Sequence, residues 1–311
     1  MQQRVAVVMG GEGPEREVAR KAGEGISLAL ESLGHDVVRT PVGPDLVRRL
    51  RAAHVDAVFP VLEGATAREG RIQAVLNSLG LPFAGANGFA TAVAAHLGHL
   101  RGLLRLHNLP LPQGYTVLHQ RADAALASHG DLGFPCRVRP VTAGVGGGAM
   151  QVAAPEALVP AVRWAGQYAG EALVEREVEG AQVSVALLGE EVLGLGPTPA
   201  EGLRRQGMPR LSPTRRGNLE ALARAVARAL DCRGPLLVGF SVPSEDNEVI
   251  VSVDPAPRLV PRGAFVRLAT GEGRSYAQLV GDILGAADRD VGHPDIPGLE
   301  PIQLPGFALA G

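Results

Sequence analysis

The apolar run Val5-Ala6-Val7-Val8-Met9 passes through Gly10-Gly11-Glu12-Gly13 straight into Pro14-Glu15-Arg16-Glu17-Val18, and this join constrains the fold more than any other segment. The run has the length and composition of a buried strand. Gly10 and Gly11 allow the backbone to approach a ligand closely, and Pro14 suits the first turn of a helix whose start favours negative charge. Strand, glycine turn and helix together predict the opening unit of a parallel α/β domain with its turn facing a ligand. Glu15 falls at the helix start, where its carboxylate can meet an amine or simply stabilise the helix end. By itself the pattern fits the opening of any Rossmann-like domain.

The chain continues in the same style up to about residue 95, with apolar runs at 37–39 and 57–61 alternating with helical patterns at 14–33, 45–53 and 70–79. Such alternation predicts βαβ units and a parallel sheet. Residues 88–107 carry continuous helical periodicity and are read as one helix, stopped by Asn108-Leu109-Pro110. The segment 96–180 changes character, with strands expected at 115–118, 136–138 and 150–153 and helices at 121–128 and 155–165, an α+β module. In 181–286 a hairpin is expected from 183–188 and 191–195, then irregular chain at 196–216 and a helix at 218–230. Strands at 236–242 and 249–253 around Ser244-Glu245-Asp246-Asn247 and a helix at 276–284 complete the segment. Residues 287–311 are rich in Gly and Pro without periodicity and are expected to be a loosely packed tail. No internal repeat is evident.

Composition narrows the function classes. With 46% hydrophobic residues and a formal charge of −2, the chain is long enough for several ordinary cores and has neither a basic stripe nor a Lys/Arg block. Nucleic acid and membrane are therefore not expected partners. No apolar stretch approaches the roughly 18 residues a membrane span needs, and the first residues lack a leader pattern, so a cytoplasmic location is expected. Cys136 and Cys232 stand alone and read as small core residues in a reducing compartment rather than as a disulfide. Of the 30 basic residues only Lys21 is a lysine, so any role that needs a lysine falls to that residue or to none.

Several landmarks occur in one order: the opening glycines with Glu15, Leu62-Glu63-Gly64 through Glu69-Gly70, Gly80-Leu81-Pro82-Phe83-Ala84-Gly85, Leu109-Pro110, Phe134-Pro135 through Arg139-Pro140, Gly144 through Gly148, and Val174-Glu175-Arg176-Glu177. In order and spacing this series resembles the D-alanine–D-alanine ligases, members of the ATP-grasp family, closely over residues 4–195 and more loosely over 218–285. The resemblance implies an ATP-grasp architecture: a Rossmann-like domain over 1–95, sub-domains over 96–180 and 181–286 that enclose a nucleotide cleft, and the tail. It also implies ATP-dependent joining of two D-alanine molecules through an acyl phosphate.

The resemblance implies a nucleotide held by Arg139, by the glycine-rich lid with Gly144, Gly146, Gly147 and Gly148, and by a hinge containing Glu175 and Val178. Gln182 stands at the position of a ribose-binding Glu. Leu97 stands where a lysine is expected, with His96 and His99 nearby. The lid segment also reads as a plain glycine-rich hairpin turn. For magnesium, the family draws one Asp from a strand that here corresponds to 234–242, which contains no carboxylate, and a Glu and an Asn that here become Ser252 and Asp254. Asp254 is the one remaining candidate ligand and reads equally as a turn residue before Pro255, so magnesium is doubtful. The family's oxyanion-steadying arginine corresponds to Leu237 or a neighbour. A glycine beside the acyl phosphate is replaced by Arg258, which leaves Glu15 and Arg258 as vestigial catalytic candidates. His96 and His99 without a third convergent ligand read as ordinary helix residues.

These departures point to a catalytically degenerate pseudo-ligase linked to peptidoglycan precursor synthesis, binding a nucleotide, a small amino acid or a protein partner. A homodimer, or pairing with an active paralogue, follows from the resemblance only. Two alternatives stand beside this reading. One is a working ligase that uses Glu63, Glu69, Glu190 or Asp254 for metal and Arg139 and Arg258 for phosphate; the other is a scaffold with no nucleotide at all.

Overall fold

In the computed structural model the described residues are 2–11, 15–64, 69–142, 148–198, 210–245, 247–271 and 273–287. In chain order the strands are β1 (Arg4–Gly11), β2 (Asp36–Pro41), β3 (Ala57–Glu63), β4 (Gly114–Leu118), β5 (Cys136–Pro140), β6 (Met150–Val152), β7 (Glu171–Arg176), β8 (Ala181–Leu188), β9 (Glu191–Pro197), β10 (Pro235–Val242) and β11 (Val249–Asp254). The α-helices are α1 (Arg16–Ser32), α2 (Leu46–Ala53), α3 (Arg71–Ser78), α4 (Gly88–Ala95), α5 (Leu97–Leu106), α6 (Ala125–His129), α7 (Leu158–Ala169), α8 (Pro213–Ala229), α9 (Ala264–Ala269) and α10 (Tyr276–Gly285).

β2, β1 and β3 form a parallel sheet in which β1 is central. A central parallel strand is covered on both faces, which is why 5–9 is apolar without alternation. Val5, Val7 and Met9 pack on one side with Ile26 and Leu30 of α1 and with Phe265, Leu279 and Ile283 of α9 and α10. Ala6 and Val8 pack on the other side with Leu46, Leu50, Ile72 and Leu76. Glycine is dictated at the end of β1 by crowding at Gly11, where φ is +146° and an added Cβ would lie 2.1 Å from the Glu63 carbonyl oxygen. Gly11 is also paired with Glu63 in the sheet register, so the end of β1 lies beside the end of β3.

The other two sheets are antiparallel, in the orders β4-β7-β5-β6 and β11-β10-β8-β9. In the first, Cys136, Val138 and Val174 face Leu158, Ala161, Val162 and Ala165. Alternation along the strands therefore turns Arg137, Arg139 and Glu175 to the opposite face. In the second, Val183, Val185 and Leu187 pack with Leu219, Ala223 and Val226 of α8 and with Leu100 and Leu104 of α5. Although α5 precedes the central sheet in sequence, its apolar face belongs to the core of this last sheet.

Four local expectations change. The helix read over 88–107 is two helices, interrupted at His96, whose backbone is extended (φ −120°, ψ 104°). The break stabilises itself: the His96 ring accepts a hydrogen bond from the His99 backbone N–H at 3.4 Å, and the freed N–H of Leu97 donates to Val141 O at 2.8 Å. Residues 119–124 form a 3-10 turn ahead of the short α6, rather than one helix over 121–128. β7 and α9 join the list of elements; neither is long enough to announce itself in an apolar pattern. Cys136 and Cys232 are both buried free thiols, and burial pushes the Cys232 thiol up to about 12. Among the described residues no helix is long and apolar enough to cross a membrane.

Leu104 is 1% exposed and joins α5 to the β8–β10 core. Leu104→Ala is expected to cost about 2–5 kcal/mol, read as a lowered denaturation midpoint with an unchanged slope in urea titration.

Candidate functional site

A cleft of about 750 Å³ opens where the three sheets meet. Glu15, Glu69, His96, Arg101, Arg139 and Asp254 border it, drawn from all three parts of the chain.

Its floor is an ion network. Glu175, on β7, pairs through one oxygen with Nη1 of Arg101 from α5 and through the other with Nη2 of Arg139 from β5 at 2.7 Å. The second terminal nitrogen of Arg101 donates to Pro112 O at 2.6 Å. The Arg101 and Glu175 side chains are each 7% exposed, and that of Arg139 is 22% exposed. Burial pulls the Arg101 guanidinium below its ordinary value, Glu175 pulls it back up, and Arg105 and Arg139 add smaller downward pushes. Arg139 Nε is buried without a hydrogen-bond partner. Arg101 is absent from the sequence-based set of site residues. It lies one helical turn beyond Leu97, and the available signal was an arginine set among Leu97, Leu100 and Leu104 on the buried face of the helix.

Beside the floor, the hinge segment is internally satisfied. Glu177 accepts from Arg137 at 3.3 Å and from Gln151 at 2.5 Å. Val178 O accepts from the Ser241 hydroxyl at 3.1 Å, and Gln182 donates to that hydroxyl at 3.1 Å and to Gly180 O at 3.3 Å. The slot among Arg137, Glu175, Glu177, Val178, Gln182 and Val251 has a volume of about 30 Å³. Of the lid glycines, Gly144, Gly146 and Gly147 lie outside the described residues. Gly148 has φ +54°, and an added Cβ there would stand 3.0 Å from the Trp164 ring.

At the far end, Arg258 lies between two carboxylates. Its Nη2 is 2.5 Å from Glu15 and its Nε is 3.1 Å from Glu63, residues 243 and 195 positions away in the sequence. Its side chain is 38% exposed, so the ion pairs are partly screened by water. The two vestigial catalytic candidates thus meet each other.

The strands implied to carry metal ligands present few donors. Asp254 Oδ1 accepts from the Ala256 N–H at 3.0 Å, an Asx turn, and Asp254 is paired in register with Leu237. The neighbouring cross-strand pair is Gly239 with Ser252. Glu190 lies on the β8–β9 turn, paired with Arg228 at 2.7 Å. That removes it from the carboxylates grouped for an alternative metal site, because Arg228 holds it against α8. Glu69 borders the cleft and pairs with Arg71 at 2.5 Å. His96 and His99 stack with ring centroids 4.0 Å apart, and His96 Nε2 is 3.6 Å from Glu171. Among the described residues no group of three or more His, Cys, Asp and Glu side chains could hold a metal ion.

Three sheets of these orders around one cleft form an ATP-grasp architecture, and comparison with known proteins agrees. Residues 106–200 match the family model described as D-ala D-ala ligase C-terminus. The chain is 33% identical over 300 residues to the D-alanine--D-alanine ligase of Anaeromyxobacter dehalogenans (strain 2CP-C), covering 91% of this chain and 96% of that protein. It is 32% identical over 295 residues to the enzyme of the same name from Stutzerimonas stutzeri (strain A1501), covering 90% and 93%. The fold is similar to the crystal structure of the D-alanine--D-alanine ligase from Bacillus anthracis complexed with ATP, with a TM-score of 0.83 and 19% identity over 91% of this chain and 97% of that one. It is likewise similar to the VanG D-Ala:D-Ser ligase from Enterococcus faecalis, with a TM-score of 0.79 and 19% identity over 92% and 99%. This chain belongs to the D-alanine–D-alanine ligase family.

Two outcomes follow from the geometry. Glu175→Ala leaves two facing guanidinium groups without their carboxylate and should cost about 3–5 kcal/mol in chemical denaturation, whereas Arg139→Met, which leaves Arg101 paired, should cost clearly less. The His96 pKa is held below 6.5 by burial first and by His99 second, against an upward pull from Glu171. The folded state therefore favours the neutral ring: stability is full above the unfolded value and is lost as pH falls through the lower folded value. Thermal melts should show an acid-side loss below pH 6.5 that shrinks in His96→Asn.

Proposed function

We propose that this chain is a catalytically degenerate member of its family, a ligase-like protein of peptidoglycan precursor metabolism that holds an anionic ligand without transferring a phosphoryl group. One observation carries the reading: Ser252 and Asp254 of β11, which border the cleft, are paired across the strands with Gly239 and Leu237 of β10. Phosphoryl transfer is stabilised by metal ions and cations placed around developing charge, and the protein's part is mainly positioning and electrostatics. The donor set does not fit magnesium. Asp254 is the single carboxylate of these pairs, one of its oxygens already accepts a backbone hydrogen bond, and Gly239 has no side chain to contribute.

The remaining side chains support binding rather than turnover. Arg139, paired with Glu175 yet partly exposed, keeps a guanidinium at the floor that can meet a ligand anion. At the other end Arg258 occupies the pair of carboxylates, Glu15 and Glu63, that would otherwise attract a ligand amine, so an incoming amino acid has to compete with a tethered guanidinium. Loss of even one charge-stabilising donor typically lowers turnover by about 10²–10³-fold, and this cleft departs at several positions.

Of the residues on which the working-ligase alternative draws, Glu69, Asp254 and Arg139 border one cavity. Purified protein supplied with ATP, magnesium and D-alanine is expected to release no phosphate above a protein-free blank. Release that vanishes in Asp254→Ala would replace the degenerate reading with the working ligase.

A further inference from the structure

We propose that His96 is a pH-operated joint at the edge of the cleft: neutral, it caps α5 and helps fasten that helix to the central sheet; protonated, it releases the cap and pairs with Glu171. Such a joint acts on the shape of the chain and is independent of whether the cleft transfers a phosphoryl group.

One residue serves two helix ends. His96 is the C-cap of α4 and the N-cap of α5, and its extended backbone separates them. As N-cap its ring accepts from the His99 N–H at 3.4 Å. Only an unprotonated Nδ1 has the lone pair for that bond, so the capping ring carries its hydrogen on Nε2. Ser and Asn, common caps, keep their acceptor near neutrality, whereas a histidine loses it in mild acid. The helix dipoles sharpen the choice, because positive charge is disfavoured at the start of α5 and favoured at the end of α4. The two helices therefore ask for opposite charge states of one ring.

The surroundings supply the second resting place. Nε2 lies 3.6 Å from the Glu171 carboxylate at the start of β7, within ion-pair range once the ring is charged. His99 of α5 stacks on the ring with centroids 4.0 Å apart. Glu171 and His99 are the charged or titratable groups that face it; α4 ends in alanines, and β4 places Thr116 beside Gly98. Burial and His99 keep the ring neutral at neutral pH while Glu171 pulls the other way, so the change falls below pH 6.5. Its effect is local to the cleft edge. Leu97 N–H donates to Val141 O at 2.8 Å, and His96, Leu97, His99 and Thr142 all border the cleft. Release of the cap loosens this fastening, while Arg101, one turn further on, keeps its pair with Glu175.

Nuclear magnetic resonance on the full chain tests the joint. The parent protein should carry His99→Gln, so that the ring of residue 99 does not itself titrate, and the His96 ring should be followed with the amides of Leu97 and residue 99 from about pH 8 to about pH 5. Ring and amides are expected to move with one midpoint. Solvent exchange of the residue 99 N–H, corrected for its intrinsic pH dependence, should speed up about fivefold on the acid side as the cap is lost. Adding Glu171→Gln should lower the midpoint, and restoring His99 should lower it too. Adding His96→Asn, a cap that does not titrate, should leave both amides flat across the range with α5 still capped. The proposal is overturned by a ring that does not titrate in this range, by amides that stay still while it does, by amides that titrate unchanged in His96→Asn, or by a midpoint that Glu171→Gln leaves in place. If His96→Asn fails to fold, the comparison of ring with amides in the parent still decides.

Discussion

The pairing of Glu175 with Arg101 and Arg139 ties together parts of the chain that separate cores hold individually. Arg101 stands on α5, whose leucines are packed into the β8–β11 core, while Glu175 and Arg139 stand on the central sheet. Charges so far removed from water are costly to part, because each would be left without solvent or partner. The network therefore sets how the central sheet rests over the cleft, and it sets the cleft's polarity too. The break at His96 belongs to the same arrangement: it lets Leu97 reach Val141 and aims the first turn of α5 at the cleft.

A second tie, from Arg258 to Glu15 and Glu63, joins the loop after β11 to the parallel sheet. It is more exposed than the first, so its energetic share is smaller, and its importance lies in what it occupies. The pairing of Gly11 with Glu63 holds the ends of β1 and β3 together, and Arg258 bridges the carboxylates of Glu63 and Glu15. Both ends of the cleft are thus electrostatically answered from within the protein: carboxylate meets tethered arginine at one end, and arginine meets carboxylate at the other.

Much of the scaffold was legible in residue patterns. The opening strand and helix, the 183–195 hairpin and the helix ending near 230 follow from apolar periodicity and turn residues alone, since these features are local. The interrupted helix at 96 was not legible, because the apolar stripe runs unbroken through 88–107. The break comes from a side-chain cap and a hydrogen bond to Val141, which lies far along the chain. β7 escaped notice for a related reason: Glu171–Arg176 has charged ends and becomes a strand by lying between β4 and β5.

The candidate site divides along the same line. The absence of acidic residues from 234–242, the presence of arginine at 258 and the single lysine among the basic residues are facts of the residue string, and the proposal of a degenerate site begins from them. Which charges meet was decided only by the tertiary structure. Residue order says nothing of whether Arg258 reaches Glu15, or whether Glu175 faces a ligand or two guanidinium groups. Ion pairing depends on distances of a few ångströms between residues up to 243 positions apart, and only the packing of three sheets establishes those distances.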